Sequence, residues 1–182
     1  MSNDQAGRQS HSSPSSEENS RVGIHTQYAA ICFREAADRD DRQIEILLIT
    51  SRDSGRWVIP KGWPMRKKQA HEVASIEAWQ EAGVRGSVRK KTWGSYLSMK
   101  KMEDGEIIPT VVEVHLLHVE EMDDEFPERK QRVLRWFSPA NAVSAVREPD
   151  LGELISKLDL HQSQTVRKNS KVRAASPGIV PR

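Results

Sequence analysis

Glu77 and Glu81 stand four residues apart, in a stretch from 70 to 82 that holds neither Gly nor Pro. On a helix this spacing projects both carboxylates from one face, one turn apart, and Gln80 shares that face three residues from Glu77. Two like charges so placed repel by roughly a few tenths of a kcal/mol unless a cation sits between them. Mg²⁺ (or Mn²⁺ in its stead) is such a cation, because it takes one or two carboxylates and completes its octahedron with water and substrate phosphate oxygens. A plain solvated helix face carries the same pair, so the chemistry has to be judged from what flanks it.

The flank is strongly basic. From Arg52 to Lys101 there are twelve Lys/Arg against four Asp/Glu, a balance of +8 hidden in a chain whose formal net charge is only +2. Arg52, Arg56, Lys61, Arg66, Lys67 and Lys68 surround the entry to the helix, where a phosphorylated ligand would approach the carboxylates. Arginine forks suit bidentate phosphate contact, and a dense cationic rim favours ligands with many phosphates. Arg56 and Lys61 bracket the short apolar run Trp57, Val58, Ile59 and are the leading phosphate contacts, with Arg52 and the backbone at Gly62 beside them. The alternative for each is a solubilising surface cation. From Met102 to Glu128 the sign reverses, with ten acids and no Lys/Arg. Glu120 and Glu121 within that block are further carboxylates to weigh against an ordinary acidic loop.

Other residues that could do chemistry are less telling. His115 and His118 are three apart, which on a strand puts them on opposite faces, so a shared metal is not expected. His71 opens the helix. Core packing is the expected use of Trp57 and Trp136, whereas Trp63, in a loop, is left open. The single cysteine, Cys32, excludes an internal disulfide framework, and its apolar setting reads as a buried small hydrophobe in a reducing, cytoplasmic compartment. Five basic residues and no acids follow His161. Such a tail supports only weak, salt-sensitive contact with nucleic acid or an anionic membrane, and no specific nucleic-acid motif is present.

These groups need a framework. The chain has 182 residues, enough for one compact domain with tails, and no apolar run reaches the ~18–20 residues of a membrane span. Residues 1–22 carry seven serines and almost nothing apolar, so they are expected to be a disordered tail without a secretory signal region. Residues 162–182 are expected to be a second, basic disordered tail, leaving 23–161 as the folded domain. Strands are expected at 27–34, 44–51 and 57–59, the first two joined by a charged turn at 35–42. Residues 61–64 read as a loop by their Gly and Pro content. The helix 70–82 ends at Gly83, a C-cap. Strands at 92–102 and 110–120 flank a turn at Asp104 and Gly105, an acidic loop runs to 128, and a strand at 132–137 precedes helices at 139–146 and 150–160. Strands, helix, strands, helix make an α+β fold, a mixed sheet with helices packed on it.

The stretch from Trp57 to Val84, WVIPKGWPMRKKQAHEVASIEAWQEAGV, resembles the Nudix box, G-x5-E-x7-R-E-U-x-E-E-x-G-U with U a bulky apolar residue. The register runs from Gly62 through all 23 positions, with Gly62, Glu77, Glu81, Gly83 and Val84 matching and Ala78 a weak match at the first U. The approach WVIPKGW, the exit EAGV and the later Arg135, Trp136 and Phe137 are similar to the branch holding diadenosine polyphosphate and diphosphoinositol polyphosphate hydrolases. Lys68, Ile76 and Gln80 depart from the pattern, replacing its first Glu, its Arg and its middle Glu. In the family that Arg and first Glu are usually an ion pair. Losing both leaves no orphan charge, and Ile76 is then expected in the core beside Val73.

The resemblance implies an α/β/α sandwich and a Mg²⁺- or Mn²⁺-dependent hydrolase of a phosphoanhydride bond in a phosphate-rich small molecule. Glu77 and Glu81 would be metal ligands and catalytic groups, with Gln80 as a weaker third ligand and the general base either one of these glutamates or Glu120 or Glu121. The rival is a Nudix-fold module that binds a phosphorylated ligand as a sensor or regulator without turning it over, which the changes at 68, 76 and 80 favour. Oligomeric state is open.

Overall fold

The computed structural model describes residues 24–36, 43–102 and 104–174, with side chains placed up to His161. Its centre is β1 (His25–Glu35), where Ala29, Ala30, Ile31 and Cys32 are all fully buried. A strand apolar on both faces must be covered on both, and β1 lies in the middle of a mixed eight-stranded sheet. It pairs antiparallel with β2 (Ile44–Thr50) and parallel with β7 (Ile107–Met122). β7 is long enough to serve three neighbours. It also pairs antiparallel with β5 (Val84–Val88) and with β6 (Gly94–Lys101). β8 (Leu134–Phe137) adds to β2.

Each face has its own core. On one, Leu151, Ile155 and Leu158 of α3 (Pro149–Ala174) and Ala142 of α2 (Pro139–Ala145) cover Ile31, Ile46, Val112 and Val114. Burying each of these large aliphatic side chains stabilises by about 1.5–3 kcal/mol before chain entropy is counted. On the other, α1 (Ala70–Ala82) lays Ala74, Ala78 and Ala82 over Ala30, Leu47, Ile49 and Leu117. This stripe of small residues lets the helix sit low on the sheet. The result is a three-layer α/β/α sandwich, the class expected.

The connection that matters for the site is the one from β2 to α1. β3 (Trp57–Val58) hydrogen-bonds back to β2, and the chain then crosses to β1 as β4 (Lys61–Gly62), with Lys61 opposite Ala29 and Gly62 opposite Tyr28. The amide of Ala30 donates to the Pro60 carbonyl at 3.1 Å. The segment read from sequence as a loop is therefore pinned to the central strand through Lys61 and Gly62, the first two of the three residues between Pro60 and Pro64. At its far end α1 stops at Gly83, whose φ of 67° is left-handed and whose N–H reaches the carbonyls of Ala78 and Trp79.

Several other expectations need correcting. β5 was not foreseen, since VRGSV alternates poorly and carries a glycine. β7 continues past 120, so Glu120 and Glu121 belong to a strand; Arg85 on β5 lies opposite Glu121, a favourable cross-strand pair. Helix α3 runs on to Ala174 where a disordered tail was expected from 162, with no Gly or Pro to stop it before Pro177. Ile76 is half-buried and outside both apolar clusters. The expected tail at 1–22 and most of the expected turn at 35–42 lie outside the described residues, as does the end of the C-terminal tail.

Candidate functional site

The two glutamates that opened the sequence reading border the alanine stripe of α1 and face β4. Glu77 is packed against Gly62 so closely that a Cβ there would lie 1.9 Å from its Oε1. The backbone N–H of Lys61 donates to Glu81 Oε2 at 3.0 Å. Glycine at 62 thus makes room for one carboxylate, and the amide before it orients the other. Both line a cleft of about 340 Å³, together with Gln27, Arg52, Lys61, Trp63, Lys100 and, from the acidic block, Glu128 and the nearby Arg132.

Glu128 and Arg132 carry a network that was not read from the sequence. Arg132, 6% exposed, donates through Nε to Glu128 Oε2 at 2.6 Å, through Nη1 to the Thr50 carbonyl at 2.9 Å and through Nη2 to Glu81 Oε1. Arg52 Nη1 stands 3.4 Å from Glu128 Oε1 and 3.4 Å from Gln131 Oε1. Glu128 is delivered by a chain of ties from the end of α1. Asp123 accepts from the Trp79 indole at 2.6 Å and from Arg85 at 2.9 Å, its amide bonds the Gly83 carbonyl at 2.7 Å, and the Glu128 amide bonds the Gln80 carbonyl at 3.0 Å.

Electrostatically the cleft is short of positive charge at one point. Glu77 has no hydrogen-bond or ion-pair partner among the described residues, and its carboxyl is pushed up to about 7, first by burial and then by Glu81 and Glu128. Burial also raises Glu81, with Arg132 and the Lys61 amide pulling the other way. Lys61 is drawn down by burial, partly offset by Glu81. Two further carboxylates, Glu81 and Glu128, thus bear on Glu77, with nothing cationic among the described residues bonded to it.

Hard oxygen donors of this kind suit Mg²⁺. Among the described residues no three His, Cys, Asp or Glu side chains are grouped to hold an ion alone. One or two carboxylates completed by water and phosphate oxygens is the ordinary Mg²⁺ arrangement, and Glu77 with Glu81 would be the pair to supply it.

The remaining expected site residues are scattered. Arg56 is outside the cleft, 3.7 Å from Glu148 and bonded to Ser54 Oγ at 2.9 Å, in a separate hollow with Leu97 and Arg147. Gln80 contributes its carbonyl to the Glu128 tie and does not line the cleft. Glu120 accepts from Ser87 at 2.5 Å on the exposed side of β7, and neither it nor Glu121 lines the cleft. His115 is buried, its Nδ1 3.0 Å from the Arg89 carbonyl and its Nε2 3.3 Å from Glu113, whereas His118 lies against Phe33. Trp57 and Trp136 pack on the two cores as expected, and Trp63 lines the cleft edge-on to His25. Cys32 is fully buried, and burial raises its thiol pKa far above the ordinary range. Among the described residues no helix is long and apolar enough to cross a membrane.

No family model matches the chain. It is 28% identical over 119 residues to Nudix hydrolase 16, mitochondrial, of Arabidopsis thaliana, an overlap of 64% of this chain and 66% of that protein. It is 27% identical over 164 residues to diphosphoinositol polyphosphate phosphohydrolase 3-alpha of Mus musculus, covering 85% of this chain and 88% of that one. Among solved structures, a Caenorhabditis elegans Ap4A hydrolase superposes with a TM-score of 0.55 over 77% of this chain and 99% of its own, at 15% identity, which speaks for the fold alone. Similarity over most of the domain, the shared sandwich and the box register from Gly62 to Val84 agree: the chain has the Nudix fold and is similar to Nudix hydrolases, departing from the box at Lys68, Ile76 and Gln80.

Proposed function

We propose that the chain is a Mg²⁺-dependent (or Mn²⁺-dependent) hydrolase of a phosphoanhydride bond in a phosphate-rich small molecule. The observation that carries this reading is Glu77. It is an unpartnered carboxylate on a rigid helix, faced by Glu81 and Glu128 and raised to about 7, in a cleft whose rim carries Lys61, Arg52 and Lys100. A carboxylate cluster that its own side chains neutralise only in part fits a dication, and a cationic rim beside it fits the phosphates such an ion would share.

The chain's residues have separable tasks. Glu77 and Glu81 are the proposed donors to the ion, and Gln80 is left out of the set because its side chain does not line the cleft. When bound, the ion would neutralise phosphate oxygens and make a bound water more acidic. The Lys61 ammonium has no hydrogen-bond or ion-pair partner among the described residues and reaches the cleft, where it can hold a phosphate oxygen. Arg52 and Lys100 extend that grip into an adjoining hollow of about 610 Å³ that also holds Trp63 and Lys101. Of the two glutamates, Glu77 is the proposed general base, because both oxygens of Glu81 already have donors while Glu77 has none among the described residues.

The two leading substrates are diphosphoinositol polyphosphates and dinucleoside polyphosphates. The name of the mouse relative and the second cationic hollow support the former. Cytoplasmic residence is part of the same proposal, resting on the lone unpaired cysteine. The experiment is a product-resolved turnover panel with Mg²⁺ and Mn²⁺ over diphosphoinositol pentakisphosphate, diadenosine polyphosphates, nucleoside triphosphates and ADP-ribose. Turnover of one class, lost in both Glu77→Gln and Glu81→Gln, establishes the hydrolase. Ligand binding that survives Glu81→Gln without any turnover establishes the binding module instead.

A further inference from the structure

We infer that Arg132 is a resident counter-cation of the site, one that competes with the divalent ion for Glu81. The inference rests on the metal-dependent reading above and concerns what limits loading. α1 carries no Lys or Arg, so no such cation on its own helix reaches Glu81. The charge is supplied instead by Arg132, from the segment before β8, 51 residues along the chain. Its guanidinium cannot deprotonate at any ordinary pH, so this positive charge is permanent.

Geometry makes it a competitor. Arg132 joins Glu81 to Glu128 and is tethered to the Thr50 carbonyl, all three bonds made within a side chain that is 6% exposed. Glu81 is left with Oε1 on Arg132 and Oε2 on the Lys61 amide, so both oxygens already have a donor. Glu77, one turn away, has none. An ion entering the cleft therefore finds Glu77 open and Glu81 occupied. An ion that also takes Glu81 comes up against the permanent charge of Arg132, a repulsion relieved when Arg132 yields one of its three bonds.

The test uses the full chain and metal binding, not turnover. Mn²⁺ is titrated by electron paramagnetic resonance into wild type, Arg132→Gln and Glu77→Gln. In parallel, the Arg132 Nε–H resonance of wild type is followed during Mg²⁺ addition. The expected result is affinity tighter by at least about tenfold in Arg132→Gln, since a unit charge at hydrogen-bond distance is removed from the site. Loss of binding in Glu77→Gln and movement of the Arg132 Nε–H resonance along the Mg²⁺ binding curve are expected too. Equal or weaker affinity in Arg132→Gln overturns the inference and leaves the hydrolase reading standing. So does an Arg132 resonance that stays put while the ion binds. Absence of ion binding in both wild type and Arg132→Gln overturns the metal-dependent reading, and the inference with it. Should Arg132→Gln fail to fold, the wild-type resonance decides alone.

Discussion

Gly62 and Glu77, fifteen residues apart in sequence, are in contact so close that any Cβ at 62 must push the carboxylate aside. A built Cβ at 62 would meet Oε1 of Glu77 at 1.9 Å and its Cδ at 2.1 Å. What a methyl group would displace is the flexible end of a side chain, not backbone. Gly62→Ala should therefore leave the fold intact, with a small change in Tm, while swinging the carboxylate out of place. A displacement of about an ångström can cost of order 10²-fold in rate. The expected outcome is a variant that melts like wild type and turns over like Glu77→Gln. Melting and kinetics on the same preparations check it.

Metal-free stability should fall as pH rises, and the ion should reverse this. Glu77 titrates at about 7 in the folded protein against an ordinary value of 4.5. Between those values the native state holds a proton that the unfolded chain has released, so stability declines through that window and the penalty is complete above it. Glu81, also raised, adds in the same direction. The slope is expected to be on the order of 1 kcal/mol per pH unit at most. An ion bound to the ionised carboxylates removes the penalty, so Mg²⁺ should raise Tm more at about pH 8 than at about pH 5. Thermal melts with and without chelator measure both slopes. A Glu77→Gln protein should show a flatter profile and a smaller Mg²⁺ shift.

The two cations that sequence put first should separate cleanly. Lys61 and Arg56 sit either side of the same short run, yet β3 and β4 send them to different places. The Lys61 ammonium lines the cleft without a partner among the described residues, while Arg56 is spent on Glu148 at 3.7 Å in another hollow. Lys61→Met should raise KM for a polyphosphate by about ten- to a hundredfold, the loss of one charge-assisted hydrogen bond. Arg56→Met should change it by no more than about twofold, within the ordinary range of a surface ion pair. Steady-state kinetics on both variants separates the cases, and equal effects would mean that the cleft is not where phosphate binds.

That pair shows where sequence stops being legible. The local terms were readable: the helix over 70–82 with its Gly83 cap, the i,i+4 carboxylates, the glycine at 62 and the alternation of strands around them. Each is set by neighbours a few residues away. What was missed depends on contacts between distant segments. Glu128 looked like one acid in a run of acids, and only the ties from Asp123 to Trp79 and from Glu128 to Gln80 single it out. Arg132 gave one usable signal. With no Lys or Arg in α1, the pair Glu77 and Glu81 needed a cation from elsewhere, and an arginine four residues after an acid was a candidate. Glu120 and Glu121, at the end of the long strand, are candidates by family analogy, but neither lines the cleft: Glu120 is bonded to Ser87 and Glu121 lies opposite Arg85.

Asp123 is the residue on which that delivery depends, although it touches nothing in the cleft. Its carboxylate takes the Trp79 indole at 2.6 Å and Arg85 at 2.9 Å, and its own pKa is lowered by those two bonds in that order. Asp123→Ala removes both and leaves the indole nitrogen without its acceptor, a cost of about 1–3 kcal/mol. The segment from 123 to 128 is then held only by the amide bonds to Gly83 and Gln80. Glu128 should lose its fixed position, and with it one of the two carboxylates that keep Arg132 in place. The expected outcome is a Tm lower by several degrees, kcat/KM lower by about tenfold and near-normal ion affinity, because Glu77 and Glu81 stay on their helix. Asp123→Asn should recover most of the loss, since an amide oxygen still accepts from Trp79. A variant that loses stability without losing kcat/KM would show that Glu128 needs no such positioning.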